Sequence, residues 1–459
     1  MKTGIRKFIG TKELYLTMIK VAWPIALQAL ITVGVNLMDT IMLSSMGDAQ
    51  LSASTLGGNF FSLLNIMCMG IGMGASVLTA RYYGMNKPQS LKKTITIMLR
   101  FSTVLGILFT IATALFPTTI MSVYTSDPNT VKYGAIYLLW IVPTFFTGSF
   151  TITLTTVLRS VKLVKVPLVS SLISFFANIF FNWIFIFGKL GAPRMEIAGA
   201  ALGTTIARVI EFIIIAGYFF VIDKRIHYRV KDLFMKCSDL VKEFFKISIP
   251  VLISDTLLVL GTNVMSIIMG HIGSTYVAAN AVSSIVMQLV NVFSQSISNA
   301  SGIITGNKLG QGKVDDAMSD GYAFTGMGVI LGVFGAAVIM ALRDPVINSY
   351  NISPEAKEIA QSIMLALAVL VIFQMTNSIL TKGVLRAGGD TRFLMIGDIL
   401  FLWVASIPFG ALAGLVWHWP PFWIATMLRI DQVFKCVWCL WRLKSGKWIK
   451  VIKPAEDDA

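Results

Sequence analysis

Apolar side chains in this sequence come in long runs, broken by short stretches where charges, Gly and Pro gather. A helix rises 1.5 Å per residue, so about 20 apolar residues cross the ~30 Å hydrocarbon core of a bilayer. Twelve such runs are read along the chain, at residues 18–44, 52–80, 94–116, 131–158, 164–187, 196–222, 243–270, 275–307, 320–342, 355–384, 393–416 and 419–441. They are far longer than the ~10-residue segments of a membrane β-barrel. The pattern predicts an all-α polytopic membrane protein with twelve transmembrane helices.

Composition agrees. Of 459 residues, 55% are hydrophobic and 13% charged, about half the ~25% charged content of soluble domains. The 30 Phe and 23 Met read mainly as lipid-facing and packing residues. A net charge of +15, from 38 Lys and Arg against 23 Asp and Glu, would suggest nucleic acid in a soluble protein. Here the basic residues alternate by loop. Counted with the span ends that adjoin each loop, thirty lie before the first span, in the even-to-odd loops or in the tail, five lie at the other loops, and Arg208, Arg429 and Lys435 fall deeper inside spans. By the positive-inside rule both termini are cytoplasmic, in a plasma (bacterial inner) membrane, and no nucleic acid is expected. The basic start leads into a run too long for a cleaved signal and reads as a retained first span. Cys68 and Cys237 are isolated. Cys436 and Cys439 have CxxC spacing but no second pair or nearby His, so neither a disulfide framework nor a metal site is expected.

An offset of 226 residues lays spans 1–2 over spans 7–8 without a gap. Pro24 falls on Pro250, Gly47 on Gly273, Asn65 on Asn291, Thr79 on Thr305, Gly84 on Gly310 and Lys87 on Lys313. Val157-Leu158-Arg159 matches Val384-Leu385-Arg386 one residue later, at offset 227. Two six-helix lobes are therefore expected, at 1–222 and 243–441, with a basic cytoplasmic linker at 223–242 and a cytoplasmic tail at 442–459. Because both copies start on the same side, they form a parallel repeat about an axis along the membrane normal, a plan frequent in secondary transporters.

Ionisable residues inside spans cost roughly 2.5–3.5 kcal/mol each on insertion scales, so each needs a purpose. Asp39 lies eight residues before the turn at Gly47, hence about 12 Å below that end of its helix. Asn178, Asn182 and Thr204 fall at the same depth on spans 5 and 6, and the two Asn, at i,i+4, share a face. One carboxylate, two amides and a hydroxyl suit a hard cation such as Na⁺, a protonatable site, or a polar clamp between helices. In the second half Asp255, Asn377 and Asp398 are the interior candidates, assigned to substrate or secondary polar roles. Arg208 with Glu211 and Asp431 with Lys435 neutralise themselves along one helix. Lys382, Arg386, Asp390 and Arg392 sit near a span end, where snorkelling accounts for them. No phosphate loop, HExxH or GxSxG motif is present. An enzyme is not expected, no cofactor is called for, and transport would draw on an ion gradient or run passively.

The chain resembles the multidrug and toxic compound extrusion (MATE) family. The resemblance is carried by Trp23-Pro24-Ile25 through Asn36-Leu37-Met38-Asp39-Thr40, Gly74-Ala75-Ser76 through Tyr83-Gly84, Leu158-Arg159-Ser160 through Pro167, Gly199-Ala200-Ala201-Leu202-Gly203-Thr204 and Gly383 through Thr391. It implies a V-shaped pair of six-helix lobes that export drugs or toxic organic cations by alternating access in exchange for H⁺ or Na⁺. Asp39 matches the family's coupling acid on span 1, and Asn178, Asn182 and Thr204 match the cluster around it, although the fullest clusters carry Asp at the position of Asn182. Asp255 falls near the span-7 acid of another branch, whose span-10 acid corresponds to Asn377, which favours coupling through the N-terminal lobe. The expected partners are small organic, cationic substrates and the bilayer, with the chain monomeric. The alternatives are a lipid-linked saccharide flippase of similar layout, expected to carry a strongly basic cavity, and a non-transporting receptor or scaffold.

Overall fold

The computed structural model describes residues 7–350 and 352–455. The expected cytoplasmic ends extend into residues 1–6 and 456–459, which lie outside the described residues. The helices are α1 (Lys12–Ser44), α2 (Asp48–Gly84), α3 (Pro88–Leu115), α4 (Pro117–Tyr124), α5 (Pro128–Ser160), α6 (Lys165–Phe187), α7 (Ile197–Gly217) and α8 (Ser238–Ile272). They continue with α9 (Ser274–Gly310), α10 (Val314–Ser349), α11 (Pro354–Ser378), α12 (Thr391–Asp398), α13 (Ile407–Ala411), α14 (Pro421–Met427) and α15 (Asp431–Ser445). Wider π turns prolong α7 over Tyr218–Ile222, α11 over Ile379–Leu385, α12 over Ile399–Ser406 and α13 over Leu412–Val416.

The local chemistry sets many of these ends. Pro opens α3, α4, α5 and α11, where its missing N–H costs nothing and its fixed φ suits the first turn. Asp127 and Ser353 cap α5 and α11 by accepting from the N–H of Thr130 and Ala356. Gly188 closes α6 at φ +65°, a conformation that a side chain would strain.

The repeat extends further in three dimensions than in sequence. Helix starts pair at a constant offset of 226 residues: Lys12 with Ser238, Asp48 with Ser274, Pro88 with Val314, Pro128 with Pro354, and Lys165 with Thr391. Gly47 and Gly273 turn the chain between α1 and α2 and between α8 and α9, at φ +104° and +152°. The slip to 227 at Val384 falls in the π turn Ile379–Leu385. A π turn adds one residue to a helix, which accounts for the extra position.

Among the described residues, eleven helical stretches are long and apolar enough to cross a membrane. The run read at 419–441 is split instead into α14 and α15. The chain between them tightens by i→i−3 bonds, from Arg429 to Thr426, Ile430 to Met427 and Gln432 to Arg429. Large apolar side chains such as Leu37, Phe176, Ile330 and Phe334 face outward, as a hydrocarbon solvent allows.

Two compact units are distinguished. The N-terminal unit holds residues 27–79 and 87–244, with 454–455. Its core packs Leu64, Cys68, Leu105, Leu138, Phe145 and Ala201. The 223–242 connection is folded within it: Lys92 pairs with Asp232 at 2.9 Å, and Arg100 donates to the Leu233 and Met235 carbonyls.

The C-terminal unit holds residues 7–26, 80–86 and the described part of 245–453. Its core joins Met265, Val286, Ile339, Leu367 and Leu402. Here the repeat-related glycines Gly84 and Gly310 meet, and a Cβ on Gly310 would fall 2.9 Å from the Gly84 Cα. The tail is packed rather than free: Trp448 is fully buried, Lys450 N–H donates to the Gly388 carbonyl, and Arg81 and Tyr82 donate to the carbonyls of Lys450 and Lys453.

Candidate functional site

Three polar stripes face one another in the N-terminal unit. On α1 the stripe is Gln28, Thr32 and Asp39; on α6 it is Ser171, Ser174, Asn178 and Asn182; on α7 it is Thr204, Arg208 and Glu211. Spacings of three, four, seven and eleven residues hold each set near one helix face. Helices α6 and α7 approach closely because Gly199 and Gly203 form a GxxxG face: a Cβ on Gly199 would lie 2.8 Å from the Ile186 nitrogen, and one on Gly203 2.8 Å from that of Asn182.

The four residues expected to share a layer are brought together. Asn182 donates through Nδ2 to Asp39 Oδ1 at 2.6 Å and to Asn178 Oδ1 at 3.3 Å, and Asn178 Nδ2 donates to Thr204 Oγ1 at 3.2 Å. Both Asn side chains are buried. Among the described residues, none donates a hydrogen bond to Asn182 Oδ1. The donor set is one carboxylate with neutral oxygens, which matches H⁺ or a monovalent hard cation better than a divalent one.

A second network continues the stripes, and its acid, Glu211, is not confined to a pair along one helix. Arg208 does hold Glu211 at 3.0 Å, but Glu211 also accepts from Ser171 at 2.8 Å, Ser171 accepts from Gln28 at 2.9 Å, and Gln28 accepts from Arg159. A void of about 20 Å³ lies between the networks, lined by Thr32, Ser171, Asn178, Thr204 and Glu211 among others. That is room for about one water, with several polar partners in reach. The signal for Gln28 and Ser171 was the helical spacing of the polar stripes.

The interior candidates of the C-terminal unit are placed differently. Asp255, assigned a substrate or secondary polar role, pairs with Arg386 at 3.2 Å. Asp398 accepts from Ser254 and pairs with Lys435 at 3.0 Å, and Lys435 also holds Asp431 at 3.1 Å. Asn377 donates to Gln432 at 3.0 Å. The charges read as snorkelling at the end of span 10 are mostly inside: Arg386 and Asp390 are 5% and 4% exposed, and Asp390 is held by Arg442 at 2.6 Å. Lys382 lines an internal cavity with Arg386, Asn377, Asp398 and Lys435. The cause is tertiary, because helices pack over what would otherwise be a lipid-exposed end.

Long apolar helices, an internal repeat and buried polar clusters within the spans define the class as a multi-pass membrane transporter. The MatE family model matches residues 24–184 and 250–412, one segment in each half. The multidrug resistance protein NorM of Aliivibrio fischeri is 24% identical over 406 residues, covering 87% of this chain and 86% of the relative. The multidrug resistance protein MdtK of Yersinia enterocolitica is 23% identical over 428 residues, covering 91% and 92%. Among solved structures, the MATE transporter VcmN of Vibrio cholerae in its bent form superposes with a TM-score of 0.85 at 16% identity, over 95% of this chain and 99% of that one. A MOP superfamily transporter from Pyrococcus furiosus gives 0.83 at 19% identity, over 97% and 99%. The chain belongs to the MatE, or multidrug and toxic compound extrusion, family and is a membrane transporter rather than an enzyme.

Proposed function

We propose that this chain is an H⁺- or Na⁺-coupled antiporter that exports drugs or toxic organic compounds from the cell by alternating access. In this reading it sits in the plasma membrane as a monomer, with both termini cytoplasmic and no cofactor. The relatives' multidrug names support the cargo class. The charge asymmetry of the loops supports the orientation.

The observation that carries the coupling is the Asp39–Asn182 bond. An arriving cation or proton competes with the Asn182 amide for the Asp39 carboxylate. Na⁺ binding would turn the Asn182 oxygen toward the ion, while protonation would give the carboxyl a donor of its own. Either change replaces the link between α1 and α6, so ion occupancy discriminates between arrangements of these helices. Without such differential affinity, binding shifts no equilibrium. One charge crossing 100 mV supplies about 2.3 kcal/mol, enough for roughly a 50-fold substrate gradient. In this reading Asp39 attracts cationic cargo, while Asp255 is paired with Arg386.

The test is efflux of a fluorescent organic cation from proteoliposomes, under an imposed Na⁺ gradient and a pH gradient separately. Flux should follow one gradient and disappear in Asp39→Asn while the variant keeps its fold. Unimpaired gradient-driven flux in that variant would sink the coupling assignment.

A further inference from the structure

The connection between α7 and α8 runs back along α3 and is pinned there at successive levels. Lys92 pairs with Asp232 and Lys93 with Asp239, each at 2.9 Å. One turn on, the hydroxyls of Thr96 and Tyr228 meet at 2.8 Å. A further turn on, Arg100 donates to the carbonyls of Leu233 and Met235 at 2.8 Å. Arg100 lies six residues inside the apolar run read at 94–116, hence about 9 Å beyond its start. Exposed apolar residues continue from it down one face of α3, through Val104, Ile107, Leu108 and Ile111, at helical spacing. The connection thus reaches the head of a lipid-facing stripe.

What it presents there is sorted by polarity. The 3₁₀ turn Val230–Phe234 sets Lys231 and Phe234 three residues apart, which eclipses them on one face. Both are exposed, Phe234 to 85%, with Val230 and Lys236 exposed beside them. The acids are engaged inward. Asp223 accepts from the N–H groups of Arg225 and Ile226, Asp232 is held by Lys92, and Asp239 by Lys93. The exposed charges over 223–236 are therefore Lys224, Arg225, Lys231 and Lys236, all cationic. The backbone suits the same setting. An open carbonyl is costly where water is scarce, and Arg100 satisfies the two that flank Phe234.

From this arrangement we infer that the α7–α8 connection is an interfacial foot that binds anionic phospholipid. Phe234 and Val230 enter the acyl boundary of the cytoplasmic leaflet, while Lys231, Lys236 and the exposed Arg100 guanidinium meet headgroup phosphates. Apolar side chains among cations hold a segment on an anionic leaflet by burial and charge together. A soluble partner would require the ring to stand clear of the bilayer, whereas Arg100 ties it to the lipid-facing side of α3. The inference uses the orientation given above only to name the leaflet, and nothing of the transport cycle.

Two measurements on the full-length protein test it. In the first, a nitroxide is attached through Phe234→Cys, and separately through Val104→Cys on the α3 stripe and Lys313→Cys in the turn between α9 and α10. The four native cysteines are buried. In nanodiscs of mixed phosphatidylglycerol and phosphatidylcholine, the ratio of oxygen to nickel-chelate collisions at 234 should approach that at 104 and exceed that at 313. A ratio equal to that at 313 would place the ring in water and overturn the proposal in favour of a soluble partner. Both faces of a nanodisc carry the same lipids, so this outcome is independent of orientation. The second measurement is lipid titration in neutral detergent. Phosphatidylglycerol should bind more tightly than phosphatidylcholine, and Lys231→Gln and Lys236→Gln should each weaken its binding about fivefold. All five altered positions are exposed, so none removes a core contact. Equal affinity for the two lipids, or phosphatidylglycerol affinity unchanged in the double variant, would overturn the proposal. Full competition by glycerol 1-phosphate at equal concentration would do the same, by assigning these cations to a free phosphate.

Discussion

Asn182 donates to Asp39 at 2.6 Å, while its own Oδ1, beside Gly203 in the α6–α7 contact, receives no donor. One amide thus satisfies the carboxylate and holds an unused acceptor next to it. Asn182→Ala removes both and should destabilise the protein by about 1–3 kcal/mol, the cost of leaving a buried acceptor short of a partner. If the proposed coupling holds, it should also abolish the stabilisation that a bound ion would confer, about 2.7 kcal/mol at a hundred times the dissociation constant. Thermal unfolding with and without Na⁺, and across pH, checks this. An ion-dependent rise in Tm equal to that of the native protein would remove Asn182 from the site.

Gly84 and Gly310 mark the crossing of two repeat-related helix ends, where a methyl on either would press on backbone: 3.0 Å from the Asn307 carbonyl carbon in one case and 2.9 Å from the Met85 nitrogen in the other. Gly84→Ala and Gly310→Ala should each cost roughly 1–3 kcal/mol, as overpacking does. The double variant should fall short of the sum, because one separation of the helices relieves both clashes. Additive losses in detergent unfolding would mean that the contact does not act as a unit.

Lys435 holds two buried carboxylates at once, Asp398 at 3.0 Å and Asp431 at 3.1 Å. Lys435→Met strands both acids and should destabilise by about 3–5 kcal/mol. Adding Asp398→Asn should recover part of that loss by removing one of the stranded charges. Similar unfolding midpoints for the native protein and Lys435→Met would show the cluster to be energetically neutral.

Asp232, outside the spans, gives the 223–242 connection a pH dependence. Burial pushes its carboxyl upward, but the Arg229 N–H and the Lys92 ammonium outweigh this and hold it below the usual carboxylate range. A group depressed in the folded state contributes stability above its unfolded value and loses it as pH falls through the folded one. Proteolysis of this connection should therefore stay slow from neutral pH down to the usual carboxylate range and accelerate below it. Asp232→Asn should be cut faster at neutral pH and show a flatter profile. A native profile no steeper than that of the variant would exclude Asp232 as the cause.

Asp39, Asn178, Asn182 and Thr204 were recognisable as one layer because a helix converts residue number into depth, and the turn at Gly47 provides the zero. Gln28, Ser171 and the second bond of Glu211 were obscured because Arg208, three residues away, already accounted for the acid. Lys382 and Arg386 were misplaced for another reason. Distance along a hydrophobic run says how near a residue is to the membrane edge, but not whether another helix covers it.

The sequence by itself determined eleven of the twelve spans read along it and the 226-residue repeat, while the run at 419–441 is split into α14 and α15. These depend on properties local to each stretch: apolar length, proline at first turns and glycine where φ is positive. It even contained the one-residue slip that the π turn at Ile379–Leu385 produces. Only the tertiary structure decided which interior charges are spent and which remain available. Asp255 meets Arg386 from 131 residues away and Asp39 meets Asn182 from 143, whereas the side chains of Lys382 and Arg429 make no hydrogen bond or ion pair among the described residues. The physical reason is that a buried charge is governed by whichever helix packs beside it, and that neighbour is chosen by the packing of the whole unit rather than by spacing along one helix.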